Sequence, residues 1–221
     1  MNISVITGAN RGIGLALARE LQSQGHQVVA ACRSSSKELN ALGVEIVEGV
    51  DVASQEGVAL LSQKIGERKI ELLINNAGIL VFGDTLTEPD YEGMARQFEV
   101  NAVAPLRVTS ALQNSLAQGA KVAFVTSRMG SIADNGSGGV YGYRMSKVAL
   151  NMAAVSMSHE LAPRGVSVVI LHPGMVKTDM IGGRGEVEPE EAARGLLARI
   201  EETSIENTGR FVHQNGEQLP W

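Results

Sequence analysis

Short runs of β-branched and aliphatic residues alternate along the chain with longer stretches in which apolar positions recur every three or four residues. The short runs predict strands at 3–7, 27–31, 44–48, 71–75, 121–126 and 166–171, with a late one at 210–213. The longer stretches predict helices over 12–24, 54–67, 89–116, 143–162 and 189–202. Gly25 stands where a C-cap glycine belongs, and Pro163 with Gly165 closes the fourth helix. Segments such as VVAAC, ELLI and VSVVIL are apolar throughout, the mark of strands buried on both faces. Strand and helix in steady alternation imply right-handed crossovers and a parallel sheet covered by helices on both sides. The expectation is one doubly wound α/β domain of the Rossmann type over residues 1–221, with about seven strands. In such a sheet, ligands bind beyond the carboxyl ends of the strands.

Composition narrows the function. The 221 residues are 44% hydrophobic and carry a net charge of −5 with no block of like charges. That disfavours nonspecific nucleic-acid binding, which needs a basic face. Cys32 is the single cysteine, and no Cys/His cluster has zinc-ligand spacing, so neither an internal disulfide nor a metal site is expected. The first strand begins at residue 3, and no apolar run approaches the roughly 20 residues of a membrane span. A soluble, cytoplasmic protein is expected.

The segment TGANRGIG, residues 7–14, lies between the first strand and the first helix. Gly8, Gly12 and Gly14 allow a tight turn and a close approach of a pyrophosphate to a helix N-terminus, where free N–H groups favour anions. The spacing is Gly-x3-Gly-x-Gly, unlike the commoner dinucleotide fingerprint. NNAG follows at 75–78, then Tyr143 and Lys147 four positions apart, then Pro173-Gly174 with Thr178. In this order, and over essentially the whole chain, these motifs resemble the short-chain dehydrogenase/reductase family. ACRSSS after the second strand, TSRMGSIADN after the fifth and the closing GRFVHQNGEQLPW resemble its small carbonyl-reductase-like members of the sniffer and C-factor type.

The resemblance implies a nicotinamide cofactor held by Gly8, Asn10, Arg11, Gly12, Ile13 and Gly14. Asp51 and Val52 would contact the adenine, and Asn76, Ala77 and Gly78 would wall the ribose. Pro173 and Gly174 would lie under the nicotinamide, with Val176 and Thr178 at its carboxamide. At the end of the second strand, where an acid reads the ribose of NAD, this chain has Cys32-Arg33-Ser34. Arg33, with Arg11 near the same corner, suits a 2′-phosphate, so NADP(H) is the expected cofactor.

YGYRMSK, residues 141–147, offers two tyrosines to one lysine. Helical spacing pairs Tyr143 with Lys147 and leaves Tyr141 opposite Met145, so Tyr141 is expected to pack or to line the substrate mouth. An ammonium beside a phenol would lower its pKa toward that of a working acid/base. The resemblance implies that Tyr143 exchanges the proton with the substrate oxygen and that Lys147 also holds the nicotinamide ribose. Ser127, at the end of the fifth strand, is the expected partner of the substrate oxygen. Ser131 remains the alternative, because Ser127 precedes Tyr143 by more residues than the resemblance implies. Asn101, inside the third helix, would use a local helix irregularity to hold a proton-relaying water. His172 is read as structural.

Between Thr178 and Pro189 only DMIGGRGEVE intervenes, a short glycine-rich segment expected to be mobile and to leave the substrate mouth open. Met129, Met175, Met180 and Ile181 are expected to line that mouth. The implied activity is hydride transfer between NADP(H) and a small carbonyl or alcohol substrate, by a homodimer. An NADP(H)-binding signalling protein with little turnover is the alternative.

Overall fold

The structure is a computed structural model and describes residues 3–221. Seven strands are formed: β1 (Ile3–Thr7), β2 (Gln27–Ala31), β3 (Glu45–Val47), β4 (Ile70–Asn75), β5 (Leu116–Val125), β6 (Ser167–His172) and β7 (Arg210–His213). They make one sheet in the order β3-β2-β1-β4-β5-β6-β7, with every neighbouring pair parallel. Its helices are α1 (Gly12–Ser23), α2 (Lys37–Asn40), α3 (Gln55–Ile65), α4 (Tyr91–Phe98), α5 (Ala104–Leu112), α6 (Tyr141–Leu161) and α7 (Pro189–Glu201).

Consecutive strand residues point to opposite faces, so each strand feeds two cores. Val5, Leu73, Val122, Phe124 and Ile170 pack on one side against α3, α5 and α6, through Leu61, Val108 and Leu150. Ile6, Ile74, Ala123 and Val169 pack on the other against α1 and α7, through Leu17 and Leu196. A strand buried on both faces has no polar alternation to show, which is why these segments read as continuous apolar runs.

The expected third helix is interrupted. A π turn, Glu99–Val103, separates α4 from α5, and the residues after Leu112 pass through a short 3-10 turn into β5. Pro105 supplies the reason. It has no N–H to offer the carbonyl of Asn101 four residues earlier, and its ring would crowd that carbonyl in a regular helix. Two smaller differences matter for the site. The longest helix, α6, starts at Tyr141, two residues earlier than expected, and α2 was not foreseen; Ser36 caps it by accepting from the Leu39 amide.

The sequence order of the strands reverses between β1 and β4. Their carboxyl ends are tied together there: Thr7 Oγ1 accepts from the amides of Asn76 and Ala77, both at 3.1 Å. Asn76 Nδ2 returns bonds to the carbonyls of Thr7 and Gly8 at 3.0 and 3.1 Å. This crevice is where a doubly wound sheet holds ligands.

Candidate active site

A cavity of about 1270 Å³ runs along the carboxyl edge of the sheet. At one end, Gly8, Asn10, Arg11, Gly12, Ile13 and Gly14 line it, as expected of the turn. The glycines have separate reasons. Gly8 has φ +67, and a Cβ there would stand 2.9 Å from Ala77 Cα. A Cβ on Gly14 would collide with the Gly8 carbonyl oxygen and with Asn76 Nδ2. These two are demanded by packing within the turn and against the loop after β4, whether or not a phosphate is bound. Gly12, at φ +53, opens α1, and Arg11 at the N-cap offers no side-chain cap. The first-turn amides, which no helix can satisfy internally, are thereby left to an anion.

Asn10 Nδ2 donates to the Ser34 carbonyl at 3.0 Å, binding the glycine turn to the loop that carries Arg33. Arg33 lines the cavity beside Asp51 and Val52 and takes part in no ion pair among the described residues. Arg11 has a competing partner, Asp179, at 3.7 Å, though both side chains are largely exposed and such pairs are weak. Asn76, Ala77 and Gly78 form the floor, and Pro173, Gly174, Val176 and Thr178 the far wall. An uncapped helix start, an unpaired guanidinium and a cleft of this length fit a dinucleotide phosphate such as NADP(H).

At the other end, Ser127, Tyr143 and Lys147 share the cavity wall. Ser131 does not reach it: that side chain is 1% exposed, and its hydroxyl accepts from the Asp134 amide at 3.1 Å. Lys147 Nζ donates to the Val125 carbonyl at 3.1 Å and lies 5.6 Å from the Tyr143 ring centroid. Burial acts on both groups. It brings the Lys147 amine down to about 8. It pushes the Tyr143 phenol up to about 12, against the opposing pull of a hydrogen bond with Ser127. The expected lowering of the tyrosine's pKa is therefore not met: removing the phenolate from water outweighs the pull of the Ser127 hydrogen bond.

Asn101 does not line the cavity. It is fully buried in the π turn, where Oδ1 accepts from the Ile79 amide and Nδ2 donates to the Ile79 carbonyl, both at 2.8 Å, and to Ser146 Oγ at 3.0 Å. Gly78 separates it from the lysine: a Cβ there would sit 3.2 Å from Asn101 Oδ1 and 3.6 Å from Lys147 Nζ. The helix irregularity is present, and the asparagine side chain spends itself on locking the loop after β4 to α6.

The α6 start is held from a distance. Its N-cap, Val140, sits at φ 49 and gives no side-chain cap, and Gly138 and Gly139 before it also have positive φ. Asp84 Oδ2 accepts from the Gly142 amide at 2.7 Å and does the capping instead. Arg144 pins the left-handed stretch, donating from Nε to the carbonyls of Gly138 and Gly139 and from Nη2 to Ser137 Oγ at 2.8 Å.

Met129, Met175, Met180 and Ile181 line the substrate end, whereas Tyr141 does not; it begins α6 on the outer surface. The segment after Thr178 is not a free lid. Its base is closed by Lys177 N to Val187 O at 2.9 Å and Val187 N to Met175 O at 3.1 Å, and Gly183 N bonds Thr178 O at 2.9 Å. His172 lines the cavity as well, and burial, then His213 and Arg128, lower its pKa to about 3, so it stays neutral. Phe82, Arg144 and Arg184 were not foreseen in the cavity wall. Asp84 had no local signal at all, since its partner is 58 residues away.

The profile of the short chain dehydrogenase family matches residues 2–188. Over 227 aligned residues the chain is 41% identical to 1-hydroxy-2-glutathionyl-2-methyl-3-butene dehydrogenase of Rhodococcus sp. (strain AD45), covering all of both chains. It is 50% identical to the C-signal protein of Myxococcus xanthus over 69% of this chain and 93% of that one. A carbonyl reductase from Pseudomonas aeruginosa PAO1, solved in complex with NADP, superposes over the full length of both chains with a TM-score of 0.86 at 35% identity.

Proposed function

Because the chain belongs to the short-chain dehydrogenase/reductase family, of the carbonyl-reductase-like type, we propose that it is an NADP(H)-dependent carbonyl reductase. It would reduce aldehydes or ketones, or oxidise the corresponding alcohols. The observation that carries this is the meeting of Ser127, Tyr143 and Lys147 on one wall of a cavity whose other end is an uncapped helix start. When bound, the nicotinamide supplies the hydride to the carbonyl carbon. Tyr143 holds the proton at Oη and passes it to the carbonyl oxygen as the carbon–oxygen double bond becomes a single bond. Ser127 Oγ donates a hydrogen bond to that oxygen as its negative charge grows. Lys147, buried and fixed by the Val125 carbonyl, favours the phenolate that Tyr143 becomes. Asn101 keeps the loop after β4 in register with α6, with Gly78 between it and the lysine.

Arg33 supports NADP(H) over NAD(H), as does NADP in the Pseudomonas aeruginosa carbonyl reductase. A KM for NADH below that for NADPH would contradict this assignment. The apolar residues Tyr91 and Phe98 on α4, and Met145 and Met152 on α6, are exposed and spaced seven apart on one face of each helix. That face supports a homodimer, and a monomeric mass in solution would count against it. Among the described residues no helix is long and apolar enough to cross a membrane; a cytoplasmic location is proposed with the free, buried Cys32 thiol in its support.

The experiment is NADPH oxidation with a panel of aldehydes, ketones and quinones, run beside Tyr143→Phe. Turnover with at least one carbonyl compound, lowered about 100-fold or more in the variant, is the expected result. Equal rates in both proteins would overturn the mechanism. The identity with C-signal favours a second reading, an NADP(H)-binding signalling protein with little turnover. NADPH binding without oxidation across the panel would select it.

A further inference from the structure

The chain is acidic overall, with a net charge of −5, yet six cationic side chains line the cavity against three carboxylates. All three carboxylates are engaged. Asp134 meets Arg128 Nε at 3.1 Å, Asp179 meets Arg11 at 3.7 Å, and Asp51 accepts from the Ala53 amide of its own loop at 3.0 Å. Of the cations, Arg33 belongs to the adenosine end and Lys147 to the proton path. Arg144 and Arg184 are left at the substrate mouth, and neither has a carboxylate partner among the described residues.

Both are held in place. Arg184 rides on the turn closed by Gly183 N to Thr178 O at 2.9 Å and Arg184 N to Ile181 O at 3.2 Å. Arg144 is fixed through Nε and Nη2 to the 137–139 loop, and its Nη1 group has no partner among the described residues. The Arg144 guanidinium, already fixed through its side chain, loses little freedom when it closes on an anion, whereas Arg184 is anchored through its backbone alone; the fork of each matches a carboxylate. The surrounding wall carries Phe82 and Met180, 61% and 41% exposed, so a bound carboxylate would keep contact with solvent and its attraction would weaken with added salt.

We propose that the physiological substrate carries a carboxylate arm, read at the mouth by Arg184 and Arg144 while its carbonyl lies at Tyr143. This rests on the carbonyl-reductase function proposed above and names its substrate class. Two chemistries would supply the arm: a small aldehydo or keto acid, or a carbonyl compound conjugated to an acidic peptide such as glutathione.

The test compares 4-carboxybenzaldehyde with benzaldehyde, and a glutathionyl aldehyde with its S-alkyl counterpart lacking the peptide, at low ionic strength. The wild type should favour the charged member of at least one pair in kcat/KM by roughly tenfold or more. Which pair shows it assigns the source of the carboxylate. Arg184→Gln should reduce that ratio by about tenfold, and Arg184→Glu should bring it below one. Ratios near one in the wild type, or ratios that neither variant moves, would overturn the proposal. So would a loss of NADPH affinity in Arg184→Gln with discrimination unchanged, which would give that guanidinium to the cofactor. If no carbonyl compound is turned over, the reductase function fails on its own, and calorimetry decides the anion site separately. S-methylglutathione should then bind the NADPH complex about tenfold more weakly in Arg184→Gln, and equal affinities would overturn the site.

Discussion

The two ends of the cavity are built by different means. At the cofactor end, the glycine turn meets the loop after β4, and the fit there is steric as well as hydrogen-bonded through Thr7 and Asn76. Gly8 and Gly14 lie against Ala77 and Asn76 so closely that no side chain can replace their hydrogens. At the substrate end, separated segments supply the wall, and the loop that leads into α6 has room to spare at Gly138 and Gly139, where a Cβ would meet nothing within 4 Å. There the shape is held by side-chain bonds, a long-range one from Asp84 to Gly142 and local ones from Arg144 to the 137–139 loop. A turn that cannot change without collision is suited to a fixed ligand. A wall held by replaceable bonds can be re-cut for different substrates on the same frame.

The contrast can be broken most sharply by matched glycine substitutions. Gly14→Ala should cost about 3 kcal/mol or more, because its Cβ has no room beside the Gly8 carbonyl. Gly138→Ala, at φ +62 with nothing within 4 Å, should cost only about 1–2 kcal/mol from its left-handed backbone. Denaturant titration of both variants measures the difference, and equal losses would mean the cofactor turn is no tighter than the substrate loop.

Next in size is the lysine where the two ends meet. Lys147→Met should abolish turnover while raising the thermal midpoint, since burial that holds the amine at about 8 penalises its charge at neutral pH. In the wild type the charged amine is the working form, so reduction should fall as pH rises through about 8. Stability runs the other way. The folded amine gives up its proton near 8 and the unfolded one near its ordinary value of 10.5, so the unfolded chain binds more protons in between and stability rises with pH above about 8. A pH–rate profile and unfolding curves at pH 7 and 9 check the two signs.

Smaller effects should follow at the start of α6. Asp84→Ala should cost about 1–2 kcal/mol through the lost cap of the Gly142 amide, and should raise KM for carbonyl substrates more than for NADPH. Val140→Gly should change stability by less than about 1 kcal/mol, because relief of the left-handed valine is offset by greater freedom of the unfolded chain. A KM rise for NADPH equal to that for substrate in Asp84→Ala would remove the distinction between the two ends.

The legibility of the chain follows the same division. TGANRGIG and NNAG could be read because each is local, and Tyr143 pairs with Lys147 by helical spacing alone. The strands were visible because burial on both faces leaves an uninterrupted apolar run. The break in the third helix was foreseen only as an irregularity at Asn101. Its cause, Pro105, stands four residues on, in a pattern whose apolar period continues across it. Tyr141, read as packing or lining the mouth, does not line the cavity and stands in the first turn of α6, where the spacing to Lys147 says nothing of which surface it faces. DMIGGRGEVE reads as a mobile segment because glycine content records backbone freedom, not the bonds from Met175, Lys177 and Thr178 that restrain it.

Taken alone, the amino-acid sequence determines the doubly wound sheet, the glycine turn, the missing acid at Arg33 and the Tyr143–Lys147 pair. All of these rest on periodicity or on neighbours within one turn or one helix. Only the tertiary structure decides that Ser127 and not Ser131 reaches the cavity, that Asp84 caps α6, and that burial sends the tyrosine and lysine pKa values in opposite directions. Those outcomes depend on which distant segments meet and how much water they exclude, and neither quantity is carried by any local stretch of the chain.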